Sequence, residues 1–317
     1  MTITPNPGFA MLFAAAMLLI VPRALRGPAM ALGAIGAVYL MFEHEFGLGP
    51  GFAQIGLSIT PLRLDPLSQV FGLGFGLITI VFALYANQRV NKIEDVALMA
   101  HAGGATTAVF AGDLVSFVAA AQFSALAGAV LVFAGGKADS RGAGVRFLCW
   151  HALSGILMAA GVGLAWVSTG HVNFERLQAQ SLDGALLFAG AMVAAGAPFA
   201  HVWLKDGLPQ TSALGGAAFG AFTLKLGLYA LARAFPGEPL LLYLGAIMAL
   251  GALPLAALAG DVRQSAAYGL ISQSGAAMAA LGAGTPLALA AGAAMSFTSL
   301  LTGALALLAI GTACERA

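Results

Sequence analysis

Charge is scarce in this chain. Its 14 Lys and Arg with 13 Asp and Glu make up 9% of 317 residues, while 60% are hydrophobic. Roughly 25% charge is usual for a soluble domain, and a water-facing surface of this size cannot be covered with so little. Low net charge alone would not exclude disorder, but combined with high hydropathy it does. No run of Lys or Arg exists to follow a phosphate backbone, so nucleic acid is not an expected partner. Only two cysteines occur, Cys149 and Cys314, far apart and with only His151 near the first. That excludes a disulfide framework and a zinc or iron–sulfur site, and leaves two small apolar fillers. With no Gly-rich phosphate loop and no haem-ligand pair, neither a cofactor nor intrinsic catalysis is expected. The 42 glycines lack a collagen period. The apolar runs lack polar alternation, which excludes a β-barrel. What is left is an all-α polytopic membrane protein, a single transmembrane domain over residues 1–317 with the lipid bilayer as solvent.

Eleven apolar segments are expected: Phe9–Val21, Ala29–Phe42, Leu67–Ala86, Val96–Ala111, Leu114–Phe133, Phe147–Val167, Ala185–Leu204, Ser212–Leu231, Leu240–Ala259, Ser265–Leu281 and Leu287–Ile310. The first, second and fourth are short of the roughly 20 residues that a bilayer needs, so their flanks must contribute. The first is not read as a signal peptide, because no Lys or Arg precedes it while Arg23 and Arg26 follow. That asymmetry places the N-terminus outside. Alternating from there, ten cations fall on the inside (Arg23, Arg26, Arg89, Lys92, Lys137, Arg141, Arg146, Lys205, Arg263 and Arg316). Arg63, Arg176 and Arg233 fall outside, and Lys225 falls within a segment. Ten against three supports eleven crossings with the C-terminus in the cytoplasm, in a bacterial inner membrane. Small residues such as Gly155, Gly161, Gly163 and Gly275 suit close helix packing in lipid. The longest loop is expected from about Glu43 to Pro66.

A charge at mid-bilayer costs about 2.5–3.5 kcal/mol on insertion scales, so polar residues deep in a segment carry the information. Lys225 lies about 12 Å along its helix from Arg233, too far for its stem to reach the interface. It is either an amine that changes protonation or one fixed by carbonyls or a carboxylate. Gln122 sits mid-segment. His101 and His151 either relay protons or hydrogen-bond a neighbouring helix. His201, close to Trp203, suits an interface anchor as well as a functional group. Pro198 and Pro254 each remove a backbone donor. Either makes a kink or, as in transporters, breaks a helix that lines an ion path. Pro198 is the better candidate, since His201 follows within one turn.

Several stretches in order carry a resemblance: Asp65-Pro66-Leu67-Ser68, Phe110-Ala111-Gly112-Asp113-Leu114, His201-Val202-Trp203-Leu204, Lys225, Tyr229-Ala230-Leu231-Ala232-Arg233, Asp261-Val262-Arg263, Ala267-Tyr268 and Ile271-Ser272-Gln273. Over about residues 65–311 the chain resembles the antiporter-like subunits of respiratory complex I and of Mrp-type cation/proton antiporters, most nearly the Mrp D-type subunit. The resemblance implies two inverted five-helix repeats and a chain of buried Glu, Lys and His that moves protons. It divides the chain into N-terminal helices (1–95), a complete first repeat (96–234) and a partial second (235–317). It also implies other membrane subunits as partners, including a full-length antiporter-like paralogue.

The departures from that pattern are specific. The family's fifth-helix glutamate aligns with Gln122, and its seventh-helix lysine with Val193 or Ala194. The eighth-helix lysine is kept as Lys225. Two histidines and a lysine of the eleventh helix align with Met295, Ser299 and Gly303. Family chains continue to about fourteen helices, so the second repeat is expected to hold three of its five. Losing one partner of a buried pair costs about 3–5 kcal/mol, whereas replacing both can be nearly neutral. The paired loss of Glu and Lys therefore fits a stable bundle whose titrating pair was retired. The proton-path candidates are Lys225, His101, His151, His201 and Gln122, with a helix break at Pro198 and no metal site. The expected role is a membrane subunit of a proton- or cation-translocating complex. The alternatives are a purely structural subunit or a membrane subunit of a quinone or hydrogenase-type redox complex.

Overall fold

The structure, a computed structural model, describes residues 5–54, 56–87 and 91–316. Arg89, assigned above to an inside loop, lies outside the described residues. The chain is almost entirely helical: α1 (Gly8–Met17), α2 (Arg23–Glu43), α3 (Pro66–Ala86), α4 (Lys92–Val109), α5 (Leu114–Phe133), α6 (Ser140–Thr169), α7 (Leu182–Ala194), α8 (Val202–Gly207), α9 (Ala213–Ala234), α10 (Pro239–Ala257), α11 (Val262–Gly282) and α12 (Pro286–Arg316). Seven of these (α2, α3, α5, α6, α9, α10 and α12) are long and apolar enough to cross a membrane. The helices α1 and α7 are apolar but shorter.

The structure refines three of these readings. The stretch from Glu43 to Pro66, read above as a loop, folds into two antiparallel ribbons. In one, β1 (Gly47–Leu48) pairs with β4 (Arg63–Leu64); in the other, β2 (Phe52–Gln54) pairs with β3 (Leu57–Ile59). Ladder bonds satisfy backbone groups that a bare loop would leave to water. The segment Ala185–Leu204 is not one helix, because α7 stops at Ala194 and α8 begins only at Val202. Both cysteines are free and exposed, so they fill no core.

The polar residues of the quoted motifs act first as helix caps. Asp65 accepts from the Ser68 backbone N at 3.0 Å while the Ser68 hydroxyl accepts from the Asp65 N at 2.9 Å, and Pro66 opens α3. This is a capping box with proline where its missing N–H costs nothing. Asp113 caps α5 through Ser116 N at 2.7 Å and also accepts from Thr60 N at 2.8 Å, tying a ribbon to the bundle. Asn91, Ser181, Ser212 and Asp261 cap α4, α7, α9 and α11.

Large apolar side chains point outward all round, among them Leu32, Ile156, Leu250 and Val167, as lipid-facing positions require. At the centre stands α9, buried along its entire length. Arg63, Arg176 and Arg233 gather at the end of the bundle where α9 finishes. Arg26, Lys137, Arg146 and Arg263 gather at the other.

At the first of these ends, Arg233 grips both Asp65 oxygens at 2.8 and 2.7 Å, and Arg63 adds a bond of 2.9 Å. Arg233 Nε donates to the Tyr229 hydroxyl at 2.7 Å, which donates in turn to the Val109 carbonyl at 2.5 Å. The network thus joins α3, α4 and α9. Burial alone would raise the Asp65 carboxyl, but the Arg233 bonds, Ser68 N and the Arg63 charge hold it at about 2.

Glycine permits a close contact between α10 and α11. A Cβ on Gly275 would fall 2.5 Å from Ala249 N, and one on Gly245 2.4 Å from Ala279 N. Backbones this close leave no space for a side chain. Gly275→Val should therefore collapse the monodisperse peak in detergent size-exclusion chromatography. Gly251→Ala, where a Cβ meets open space, should leave it intact. The Asp65 carboxyl is lowered by folding, so its stabilisation is present above about pH 4 and lost as pH falls toward 2. Asp65→Asn should lower the melting temperature at pH 7 and flatten its fall on acidification; a parallel pH profile would refute this.

Candidate functional site

Helix α9 has no outward face. Gly215, Gly216, Gly220 and Gly227 and its alanines let neighbours approach from all sides, and a Cβ on Gly227 would fall 2.3 Å from Ala195 N. Every polar side chain on α9 must therefore find its partner inside the protein. Lys225 is fully buried in mid-helix. Its Nζ donates to Ser299 Oγ of α12 at 2.7 Å and to Ser274 Oγ of α11 at 3.2 Å. Among the described residues no carboxylate pairs with it. It is held by neither of the groups considered from sequence, a carbonyl or a carboxylate. The Ser299 hydroxyl gives its own proton to Ser296 O at 3.2 Å, while that of Ser274 can donate as well as accept, so through Ser274 this seat serves an ammonium and a neutral amine alike.

Thr223, two residues earlier, faces the opposite way. Its hydroxyl lies 3.2 Å from His101 Nε2 of α4. His101 Nδ1 lies 2.8 Å from the Ser124 carbonyl oxygen of α5, which can only accept, so Nδ1 carries the proton. The Ser124 hydroxyl gives its own proton to the His101 carbonyl at 2.9 Å. Nε2 then accepts from Thr223. The ring is neutral, satisfied at both nitrogens and packed edge-on against Phe222 at 5.3 Å.

His151 of α6 is equally buried but differently placed. Its ring stacks near Phe147 and Trp203, with centroids at 4.2 and 5.0 Å, and its Nε2 has no protein partner among the described residues. His151 and His101 both line a small cavity of about 20 Å³, together with Gln122, Ser154, Thr223 and Ala194. Of the two positions aligned with the seventh-helix lysine, Ala194 reaches this cavity and Val193 does not. The Val193 carbonyl instead accepts from Trp203 Nε1 at 3.1 Å.

Pro198 lies outside any helix. Gly196, at φ +66°, ends α7: Ala197 N bonds Met192 O at 3.0 Å and Gly196 N bonds Val193 O at 3.1 Å. This is a Schellman stop, with proline just beyond it. Pro254, by contrast, stays within α10. Phe199 adopts φ +70°, unusual for a side-chain-bearing residue, and is 88% exposed. His201 precedes α8, half-buried, with its ring 6.1 Å from Tyr268. It is not brought to the cavity.

Sequence reasoning missed Ser274, Ser124, Thr223 and Glu94. Hydroxyls inside a membrane helix usually bond their own backbone, so their type gives no signal. Ser299 was singled out only through the resemblance; of its two companions, Met295 is 38% exposed and Gly303 packs against Leu270. Buried Glu94 caps α9 through Gly215 N at 3.1 Å and the Ser212 hydroxyl. Thr223→Val should leave His101 Nε2 unpaired and cost about 1–3 kcal/mol, read as a lower melting temperature in detergent, with Thr223→Ser restoring it. A wild-type melting temperature for Thr223→Val would refute the Thr223–His101 hydrogen bond.

The structure is similar to chains in three solved complexes. One is the Mrp complex from Dietzia sp. DQ12-45-1b, with a TM-score of 0.86 and 21% identity over 95% of this chain and 36% of that one. Another is the membrane-bound sulfane sulfur reductase, an archaeal respiratory membrane complex, at 0.84 and 22% over 97% and 56%. The third is respiratory complex I from Thermus thermophilus, at 0.84 and 23% over 98% and 71%. In sequence, 122 residues are 31% identical to NAD(P)H-quinone oxidoreductase subunit 5 from the chloroplast of Piper cenocladum, covering 36% of this chain and 16% of that one. The chain thus spans well under two thirds of several of these relatives. The family model described as NADH:quinone oxidoreductase/Mrp antiporter, transmembrane, matches residues 111–316. With two thirds of its length so matched and the fold shared throughout, this integral membrane protein belongs to the NADH:quinone oxidoreductase/Mrp antiporter family of antiporter-like subunits.

Proposed function

We propose that the chain is an antiporter-like membrane subunit of a multisubunit proton- or cation-translocating complex, with an incomplete proton path of its own. Lys225 is its surviving protonatable element. The observation that carries this is the seat of that amine: fully buried, held by Ser274 and Ser299 hydroxyls, and tied to no described carboxylate. A lysine kept only for structure gains most from a fixed counter-charge. One bonded by amphoteric hydroxyls can exchange a proton without breaking an ion pair. The path is incomplete because Gln122 and Ala194 stand where the resemblance puts a glutamate and a lysine, and a neutral amide does not carry a proton as a carboxylate does.

On this reading the seven long apolar helices act with α1, α4, α7 and α11 as eleven crossings, with the N-terminus outside and the C-terminus cytoplasmic. The clustering of cations at the two ends of the bundle supports that orientation. Residues 1–95, 96–234 and 235–317 would be the N-terminal helices, a complete five-helix repeat and part of a second. The membrane is a bacterial inner membrane. The partners are other membrane subunits, among them a full-length antiporter-like paralogue.

A purely structural role is the second reading. What favours it is His101, whose two nitrogens are fully committed and which has nothing left to relay. One experiment separates the two. Lys225→Met in the assembled complex, reconstituted in vesicles, should lower ion transport severalfold while assembly is unchanged. Wild-type transport with normal assembly would leave Lys225 structural.

A further inference from the structure

We infer that a single water molecule is bound between α5, α6, α7 and α9, held by His151 Nε2 and the Gln122 side-chain amide. His151 is 4% exposed, and its Nε2 finds no partner among the described residues. A buried imidazole nitrogen left without a hydrogen bond is rare in native proteins. The cavity it lines has a volume of about 20 Å³, above the roughly 10–15 Å³ that one water requires.

Two other lining groups have already spent protons elsewhere. The Ser154 hydroxyl donates to Gly190 O at 2.8 Å, and the Ser124 hydroxyl to His101 O at 2.9 Å. His101 is satisfied at both nitrogens. Gln122 is different: its amide lies against Gly155, where a Cβ would come 2.5 Å from Cδ, one helical turn from His151. It offers both a donor and an acceptor. A water donating to His151 Nε2 and bonding the Gln122 amide satisfies both.

The size and lining also decide against other ligands. No carboxylate lines the cavity to balance a cation, and its volume admits nothing much larger than one water. Gly155 is the residue that makes space for the amide, and Ala194 closes the α7 side. The water site does not depend on whether the chain moves ions, so it can stand or fall separately from the transport reading.

Solid-state NMR on the assembled complex in lipid bilayers, with this chain 15N-labelled at histidine, tests it. Magnetisation from water should reach His151 Nε2. The signal is assigned by its loss in His151→Phe, and in Gln122→Leu the transfer should fall to background. A His151 Nε2 without water transfer in the unmodified complex would overturn the proposal. So would transfer undiminished in Gln122→Leu. Should either variant fail to assemble, a high-resolution density map of the unmodified complex decides. A peak within hydrogen-bonding distance of both His151 Nε2 and the Gln122 amide supports the site, and featureless density there refutes it.

Discussion

A helix with no outward face sets the terms for the rest of this protein. The sides of α9 are closed to bulk water and headgroups, so each polar group on it must be answered from within the protein. The answers come from different directions. Lys225 draws in α11 and α12, Thr223 draws in α4, and Tyr229 with Arg233 draws in α3 and α4. The polar side chains of one helix thereby fix the arrangement of at least four others. Apolar packing alone would leave such helices free to rotate, since lipid is as apolar as leucine.

The two ends of α9 are fastened by charge and its middle by hydroxyls. Asp65 and Arg233 close one end, while Glu94, Arg263 and Glu315 serve the other. At each end a buried arginine meets a partly exposed carboxylate, Asp65 for Arg233 and Glu315 for Arg263, which lowers the desolvation cost of the pair. In the interior, Ser124, Thr223, Ser274 and Ser299 do the bonding. Gln122 and Ala194 share a cavity whose lining holds no carboxylate and no lysine.

Much of the architecture was legible. Segment lengths, the lack of alternation and the placement of cations gave an all-α membrane bundle, and the ordered motifs led to the family. The motif residues turned out to owe their positions partly to capping, since Asp65, Asp113 and Asp261 start helices that would otherwise begin with bare N–H groups. The helix break was legible in place but not in cause: proline drew attention, whereas Gly196 in a left-handed conformation makes the stop. The ribbons between α2 and α3 escaped notice because strands of two or three residues have no usable period.

The sequence by itself determined that Lys225 is buried and exceptional, because an amine in a long apolar run has no route to water. It also determined that the fifth and seventh segments lack a titrating pair. Only the tertiary structure decided what Lys225 touches, which tautomer His101 holds, and that His151 rather than His201 shares a cavity with Gln122. The reason is range. Burial follows from composition within a single helix, whereas a hydrogen-bond partner lies 23 to 122 residues away along the chain and is chosen by how helices pack.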